Sequence, residues 1–186
     1  MSDAAGPYRS EGGHTLIELR LDTVQQLFDT RDPSPFRSRD LEDAAADYIV
    51  EAAAELPEDA RPKLVLHLPP SEVEEARRID VAEAIGSFFA WRAQVTARQL
   101  RDLLRNGRLA LVVGLAFLAL CLALNVAVRF ADLGWTGDVV EEGLIIVGWV
   151  ALWRPAEIFL FDWWPLRRQR RFLERLAAMP VEPRAG

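Results

Sequence analysis

The chain has 186 residues, 51% of them hydrophobic, with 22 Lys and Arg against 28 Asp and Glu and a mean hydropathy of +0.03. A single cysteine, Cys121, excludes an intramolecular disulfide framework, and two histidines, His14 and His67, are too few for a His-rich metal site. Residues 1–80 hold 9 basic and 18 acidic side chains, whereas residues 81–186 hold 13 and 10 together with the long apolar runs, so a uniformly basic nucleic-acid-binding domain is excluded as well.

Residues 1–14 are small and polar and read as a disordered tail. Ile17, Leu19 and Leu21 alternate with Glu18 and Arg20, the period-two pattern of a strand. Val24, Leu27 and Phe28 predict a helical turn or two, stopped by Asp32-Pro33-Ser34-Pro35. From Ser38, a candidate N-cap, the positions Leu41, Ala45, Tyr48, Ile49, Ala52 and Leu56 recur at helical spacing until Pro57. Lys63 to Leu68 is a second strand, stopped by Pro69-Pro70. Capping boxes at Ser71/Glu74 and Asp80/Glu83 then open helices, and the second of these has no proline between Val81 and Val128. The expected fold class is α+β: a small strand-helix-helix-strand domain over 15–80, a connecting helix over 81–108, and a two-helix transmembrane hairpin, mainly α overall. Two strands alone make a marginal sheet, so the long helix must cover them or their edges must pair with another subunit.

Leu109 to Val128 reads LALVVGLAFLALCLALNVAV, 20 residues without a charge. At 1.5 Å per residue that is ~30 Å, one hydrocarbon thickness, so transmembrane helix 1 is placed at 109–129. Residues 1–20 lack a basic-then-apolar layout, which predicts that no secretory signal is cleaved and that helix 1 directs insertion. An external loop over 130–138 leads to transmembrane helix 2 at 139–161, with Trp135 at one interface and Trp163-Trp164 at the other. A competing layout ends the second span near Trp153 and lays residues 156–176 on the membrane surface. Residues 162–186 read as a basic tail.

Arginine placement sets the orientation. Arg98, Arg101, Arg105 and Arg108 precede helix 1, and Arg167, Arg168, Arg170, Arg171 and Arg175 follow helix 2, while the loop has only Arg129. The positive-inside rule then predicts that both termini are cytoplasmic and the hairpin tip is outside; a bacterial inner membrane is the expected setting, which the rule itself does not name.

Arg154 and Glu157, three residues apart, form an expected intramembrane ion pair whose structural reading is a snorkelling arginine neutralised by its acid. Glu141 and Glu142 favour the positive end of the helix 2 dipole, or alternatively form a cation-binding ring in an oligomer. Asn125 is a candidate interhelical hydrogen bonder, and Ala119, Ala123 and Ala127 offer a close-contact stripe opposite Gly148 and Ala151. Trp163, Trp164, Arg167, Arg168, Arg170 and Arg171 make a lipid-headgroup anchor. Cys121 reads as an apolar filler and His67 as an ordinary strand residue. No nucleophile elbow, CxxC, HExxH or phosphate-binding glycine loop occurs, so no catalytic residue, cofactor, metal or small-molecule substrate is expected.

The segments Asp32-Pro-Ser-Pro-Phe36 with Arg39-Asp40-Leu41, and Gly148-Trp-Val-Ala-Leu-Trp-Arg-Pro-Ala-Glu157 leading to Asp162-Trp-Trp-Pro165, resemble an uncharacterised family of bacterial two-pass inner-membrane proteins. The resemblance covers most of residues 15–176 and implies the two-pass architecture without an activity. The expected function is a membrane-anchored interaction or assembly component without enzymatic activity. The alternative is a small homo-oligomeric channel or transporter subunit. Expected partners are membrane lipids and either a second copy or another membrane protein, because polar groups on two helices ask for more cover than one hairpin supplies.

Overall fold

The computed structural model describes residues 8–29, 31–32, 39–57, 59–131 and 134–186. These divide into two units: Met1–Gln94 with Arg171–Gly186, and Val95–Arg170.

The first unit is α+β. Strands β1 (Ser10–Glu11), β2 (His14–Arg20), β3 (Pro62–Leu68) and β4 (Val181–Ala185) form one sheet in the order β1-β2-β3-β4. β1 and β2 are antiparallel, joined at Gly12 and Gly13, both with positive φ (60° and 79°), a backbone that favours glycine. β2 and β3 are parallel, with Ile17 beside Leu64 and Leu19 beside Leu66, and α1 (Asp43–Ala54) supplies the crossover that parallel strands require. β4 lies parallel to the other side of β3, with Val181 beside Leu64 and Arg184 beside His67.

Period-two alternation gives the sheet two faces. One presents Ile17, Leu64, Leu66 and Leu68 to the core, against Val24, Leu27 and Phe28 of a short 3-10 segment, Ala45, Ile49 and Ala52 of α1, and Val73 and Ala76 of α2 (Pro70–Arg78). Val81, Ile85 and Phe89 at the start of α3 (Val81–Ala131) and Leu173 and Leu176 near the end of α6 (Trp163–Ala177) complete this core. α3 and α6 approach closely there: a Cβ added at Gly86 would stand 3.1 Å from the Ala177 carbonyl oxygen.

Several expectations are corrected. The disordered tail to residue 14 and the basic tail over 162–186 both contain sheet: Ser10–Glu11 pairs with β2, and Val181–Ala185 pairs with β3. A two-strand sheet is thus a four-strand one, and its outer strand carries Pro183, a residue tolerated at sheet edges because its missing N–H costs no ladder bond there. The candidate cap Ser38 and the stop at Pro33-Pro35 lie outside the described residues. α1 starts at Asp43, where the Glu42 carboxylate accepts a hydrogen bond from the Ala45 N–H (3.1 Å), and Leu41 forms a β-bridge with Phe28 instead of a helical turn. The Ser71/Glu74 box does not form, since Pro70, with φ already set for a helix, starts α2 two residues before the Glu72 that this box would make its first residue. Asp80 does cap α3: its carboxylate accepts from the Glu83 N–H at 3.3 Å, and its φ of 54° makes the sharp turn between α2 and α3.

The second unit consists of α3 from Val95 onward, α4 (Trp135–Val150), α5 (Trp153–Glu157), a π-helical segment (Ile158–Asp162) and the start of α6. Among the described residues two helices are long and apolar enough to cross a membrane, within Val81–Phe130 and Trp135–Ala177. The expected nine-residue loop over 130–138 is shorter, because α3 runs to Ala131 and α4 begins at Trp135 after Gly134, whose φ of +61° suits glycine. The second apolar helix is not one regular α-helix over 139–161. Pro155 lacks the N–H that would bond to the Ala151 carbonyl, and the turn at Ala151–Leu152 and the π-helical segment lie on either side of it.

Candidate functional site

Two apolar helices form a hairpin only if their backbones can approach, so the seam of the second unit is built on small residues. A Cβ added at Gly107 would stand 2.7 Å from Ile158 Cγ2. One added at Gly114 would stand 2.9 Å from the Ala151 carbonyl oxygen, and one at Gly148 would stand 2.8 Å from Leu118 Cδ1 and 3.3 Å from Cys121 Cβ. Gly107, Gly114 and Cys121 recur every seven residues, the repeat that keeps one face of a helix against a neighbour in a left-handed coiled coil. The four-residue repeat Ala119, Ala123 and Ala127 is exposed instead, so the expected close-contact stripe is on the wrong face. Gly148 and Ala151 do face α3.

Several polar side chains on this hairpin find partners within it. The buried Asn125 amide donates to the Glu141 carbonyl oxygen at 2.9 Å, and Arg129 Nε meets the Glu141 carboxylate at 2.7 Å. Glu141 therefore works as a bridge between helices. It lies in the second turn of α4, and the acid of the first turn is Asp138. Glu142 is exposed.

Arg154 pairs with Glu157 at 3.2 Å and with Asp162 at 3.3 Å, and Trp153 Nε1–H donates to the Glu157 carboxylate at 3.1 Å. Asp162 was not among the expected partners, because eight residues along a regular helix end about 80° away from the starting face. A π-turn takes up one extra residue and brings the eighth back to within about 20°. The π-helical segment thus carries Asp162 onto the face of Arg154. Both carboxylates lie on the C-terminal side of Arg154, so its guanidinium is drawn along the helix towards α6.

At the start of α6, Trp163 Nε1–H donates to the Phe159 carbonyl at 2.8 Å, and two stacked pairs follow at helical spacing: Arg167 over Trp163 (5.7 Å) and Arg168 over Trp164 (6.0 Å). Arg170 is partly buried and Arg171, which belongs to the first unit, is exposed.

In the first unit the open face of the sheet carries an ionic cluster that sequence reading missed. Register brings Lys63, His67, Glu182, Arg184, Glu18 and Glu11 to that face, over the buried Leu16 and Val65. Arg184 bonds to Glu182 (2.6 Å) and Glu11 (2.8 Å), Lys63 pairs with Glu182, and His67 Nε2 meets Glu18 at 3.1 Å. Hydrogen bonds from Arg184 and then Lys63 hold the Glu182 carboxyl down at about 2. The Arg184 hydrogen bond likewise lowers Glu11, and the two carboxylates raise Arg184. Beyond the sheet, the hydrogen bond from Tyr8 to Glu55 pushes the phenol up to about 12. Lys63 and Arg184 neutralise Glu182 and Glu11, which is the chemistry of a fastening for β4. Among the described residues no three or more His, Cys, Asp or Glu side chains gather to hold a metal ion. Compared with known proteins, the chain matches no family model, no curated protein and no solved structure.

Proposed function

We propose that this chain is a two-pass component of a bacterial inner membrane, which holds its α+β unit at the cytoplasmic surface and serves there as an interaction or assembly component without catalysis. One observation carries the reading: the unit is assembled from chain on both sides of the apolar hairpin. β3 comes before α3 and β4 comes after α6, yet the two are paired along five residues. Strands that share a ladder share a compartment, so the intervening chain crosses a membrane an even number of times. Two apolar helices meet that condition. The arginine bias of the flanks over the loop then names the compartment as the cytoplasm.

Depth is consistent with this reading. From Trp135 to Trp163 the second helix rises ~42 Å, the thickness of a bilayer with its headgroups, and the uncharged stretch of α3 rises ~30 Å, that of the hydrocarbon alone. Ile158 and Phe159 pack against Gly107, which supports a second span continuing past Trp153 over a layout on the surface. Pairing of Asn125, Glu141 and Arg154 inside one hairpin supports packing roles for these groups over an ion pathway. Both reasons for a homo-oligomer, unsatisfied intramembrane polar groups and a two-strand sheet, are weakened: Asn125, Glu141, Arg154 and Glu157 are paired within one chain, leaving Glu142 exposed, and the sheet has four strands. In this reading the partner is engaged by the α+β unit and is not demanded by the hairpin.

Reporter fusions to the full chain test the topology. Alkaline phosphatase inserted between Asp132 and Leu133 is expected to be active, and the same reporter after Gly186 inactive; the reverse pattern, or activity at both, overturns the reading. Cross-linking in native lipid discs tests the interaction role, with one stoichiometric partner held through residues 8–94 as the expected result.

A further inference from the structure

Seven arginines among the described residues are paired with carboxylates: Arg9, Arg31, Arg77, Arg78, Arg129, Arg154 and Arg184 all stand in ion pairs. Arg98, Arg101, Arg105 and Arg108 of α3 do not. All four are exposed, and among the described residues no carboxylate pairs with any of them; Arg101 Nε–H reaches only the Ala97 carbonyl, at 3.4 Å. Their spacing of three, four and three residues places them on one face, roughly 140° around the helix from the buried seam of Thr96, Leu100 and Gly107. They are therefore turned away from the second helix. Gly107 packs on Ile158, and Arg98 and Arg167 each lie nine residues from that contact in opposite chain directions, so they stand at one level. Arg167 is held by its stack on Trp163, which leaves the edge of its guanidinium open to a ligand.

We propose that Arg101, Arg105 and Arg108, with Arg98 and Arg167 above them, form a binding surface for the phosphodiesters of anionic phospholipids in the cytoplasmic leaflet. The inference rests on the two-pass reading, which sets the hydrocarbon edge at Leu109. Arg108 and Arg105 then lie within ~6 Å of that edge, inside a headgroup layer of about that depth, and Arg101 lies ~12 Å from the edge, on the water side of that layer, where its charge adds to the field that draws anionic lipid. Planar guanidinium donors match phosphate oxygens in pairs, and a net-negative lipid adds a charge that a zwitterionic lipid cancels within itself. Asp102, the one acid between Val95 and Ala131, is too little to neutralise the stripe.

The test uses the full chain equilibrated with equal phosphatidylglycerol and phosphatidylcholine in discs, with the lipids retained after detergent extraction counted by native mass spectrometry. Enrichment of phosphatidylglycerol is expected for the wild type, reduced about fivefold by Arg108→Gln and further by adding Arg105→Gln, at roughly 1 kcal/mol per arginine near an anionic surface. Arg108→Lys is expected to retain most of it, and Arg77→Gln with Arg78→Gln, whose arginines are already paired, to change nothing. Equal retention of the two lipids, undiminished enrichment in the double variant, or displacement of the lipid by millimolar inorganic phosphate overturns the proposal. Flotation of the chain with the discs is scored in parallel: failure to float defeats the two-pass reading, whereas flotation with equal retention defeats the lipid surface alone.

Discussion

Replacing Gly114 with alanine separates two opposing effects that the structure puts at one position. In the interior of a helix alanine is favoured over glycine by about 1 kcal/mol, so an unobstructed site gains from the change. Gly143 in α4 is such a site, with nothing within 4 Å of an added Cβ. At Gly114 the same methyl would stand 2.9 Å from the Ala151 carbonyl oxygen, a backbone atom, and 3.0 Å from Leu152 Cδ2. Backbone cannot rotate out of the way, so the helices must part, and overpacking of this kind costs about 1–3 kcal/mol. Gly114→Ala is therefore expected to be less stable than Gly143→Ala by about 1–3 kcal/mol. The assay is reversible unfolding of the full chain in mixed micelles by increasing fractions of dodecyl sulfate. Cys121, buried one heptad along the same seam, supplies a second readout: maleimide should reach it sooner in Gly114→Ala than in wild type. If Gly114→Ala unfolds at the same fraction of dodecyl sulfate as Gly143→Ala, with Cys121 equally protected, the close approach of these backbones is refuted.

Phe89 is fully buried in the core of the first unit, so Phe89→Ala is expected to cost about 3–5 kcal/mol, read as a lowered denaturant midpoint of the full chain's sheet signal. Asp80→Ala removes the cap on α3 while keeping a left-handed backbone, for an expected loss of about 1–2 kcal/mol; Asp80→Gly, which relieves φ, should lose less by thermal melting. Glu182 titrates at about 2 when folded against an ordinary value of 4.5, so its contribution to stability is complete above 4.5 and is lost as pH falls towards 2. Glu182→Gln should flatten that part of the profile in a fluorescence melt run from pH 6 to pH 2, and an unaltered slope would remove Glu182 as its source.

What could be seen in the sequence was whatever repeats. Alternation over Ile17–Leu21 and the short run Lys63–Leu68 stopped by Pro69-Pro70 marked the two central strands, the helical period from Ala45 to Ala52 marked α1, and an uninterrupted apolar stretch marked the apolar part of α3. β4 is five residues with a proline in the middle, which locally reads as a breaker; only the waiting edge of β3 makes it a strand. The Arg154–Asp162 pair was hidden because a regular helix would separate the two, and the π-turn that unites them leaves no periodic trace. Gly107, Gly114 and Cys121 were legible in principle, as small residues seven apart, but the shorter alanine repeat is the more familiar signature of close packing and it points to the exposed face.

Because β4 follows both apolar helices, the order of synthesis decides when the sheet can close. β1, β2, α1 and β3 leave the ribosome first with one side of β3 unpaired, and an open edge of that kind invites misassociation for as long as it lasts. Arg184 and Glu11, joined in the finished sheet, are 173 residues apart along the chain. Hairpin formation shortens that path, since it returns the chain to its starting level before β4 is made. On the proposed two-pass topology, insertion is a folding step for the α+β unit, and a chain stalled with one helix inserted would hold β4 on the far side of the bilayer from the strand it completes.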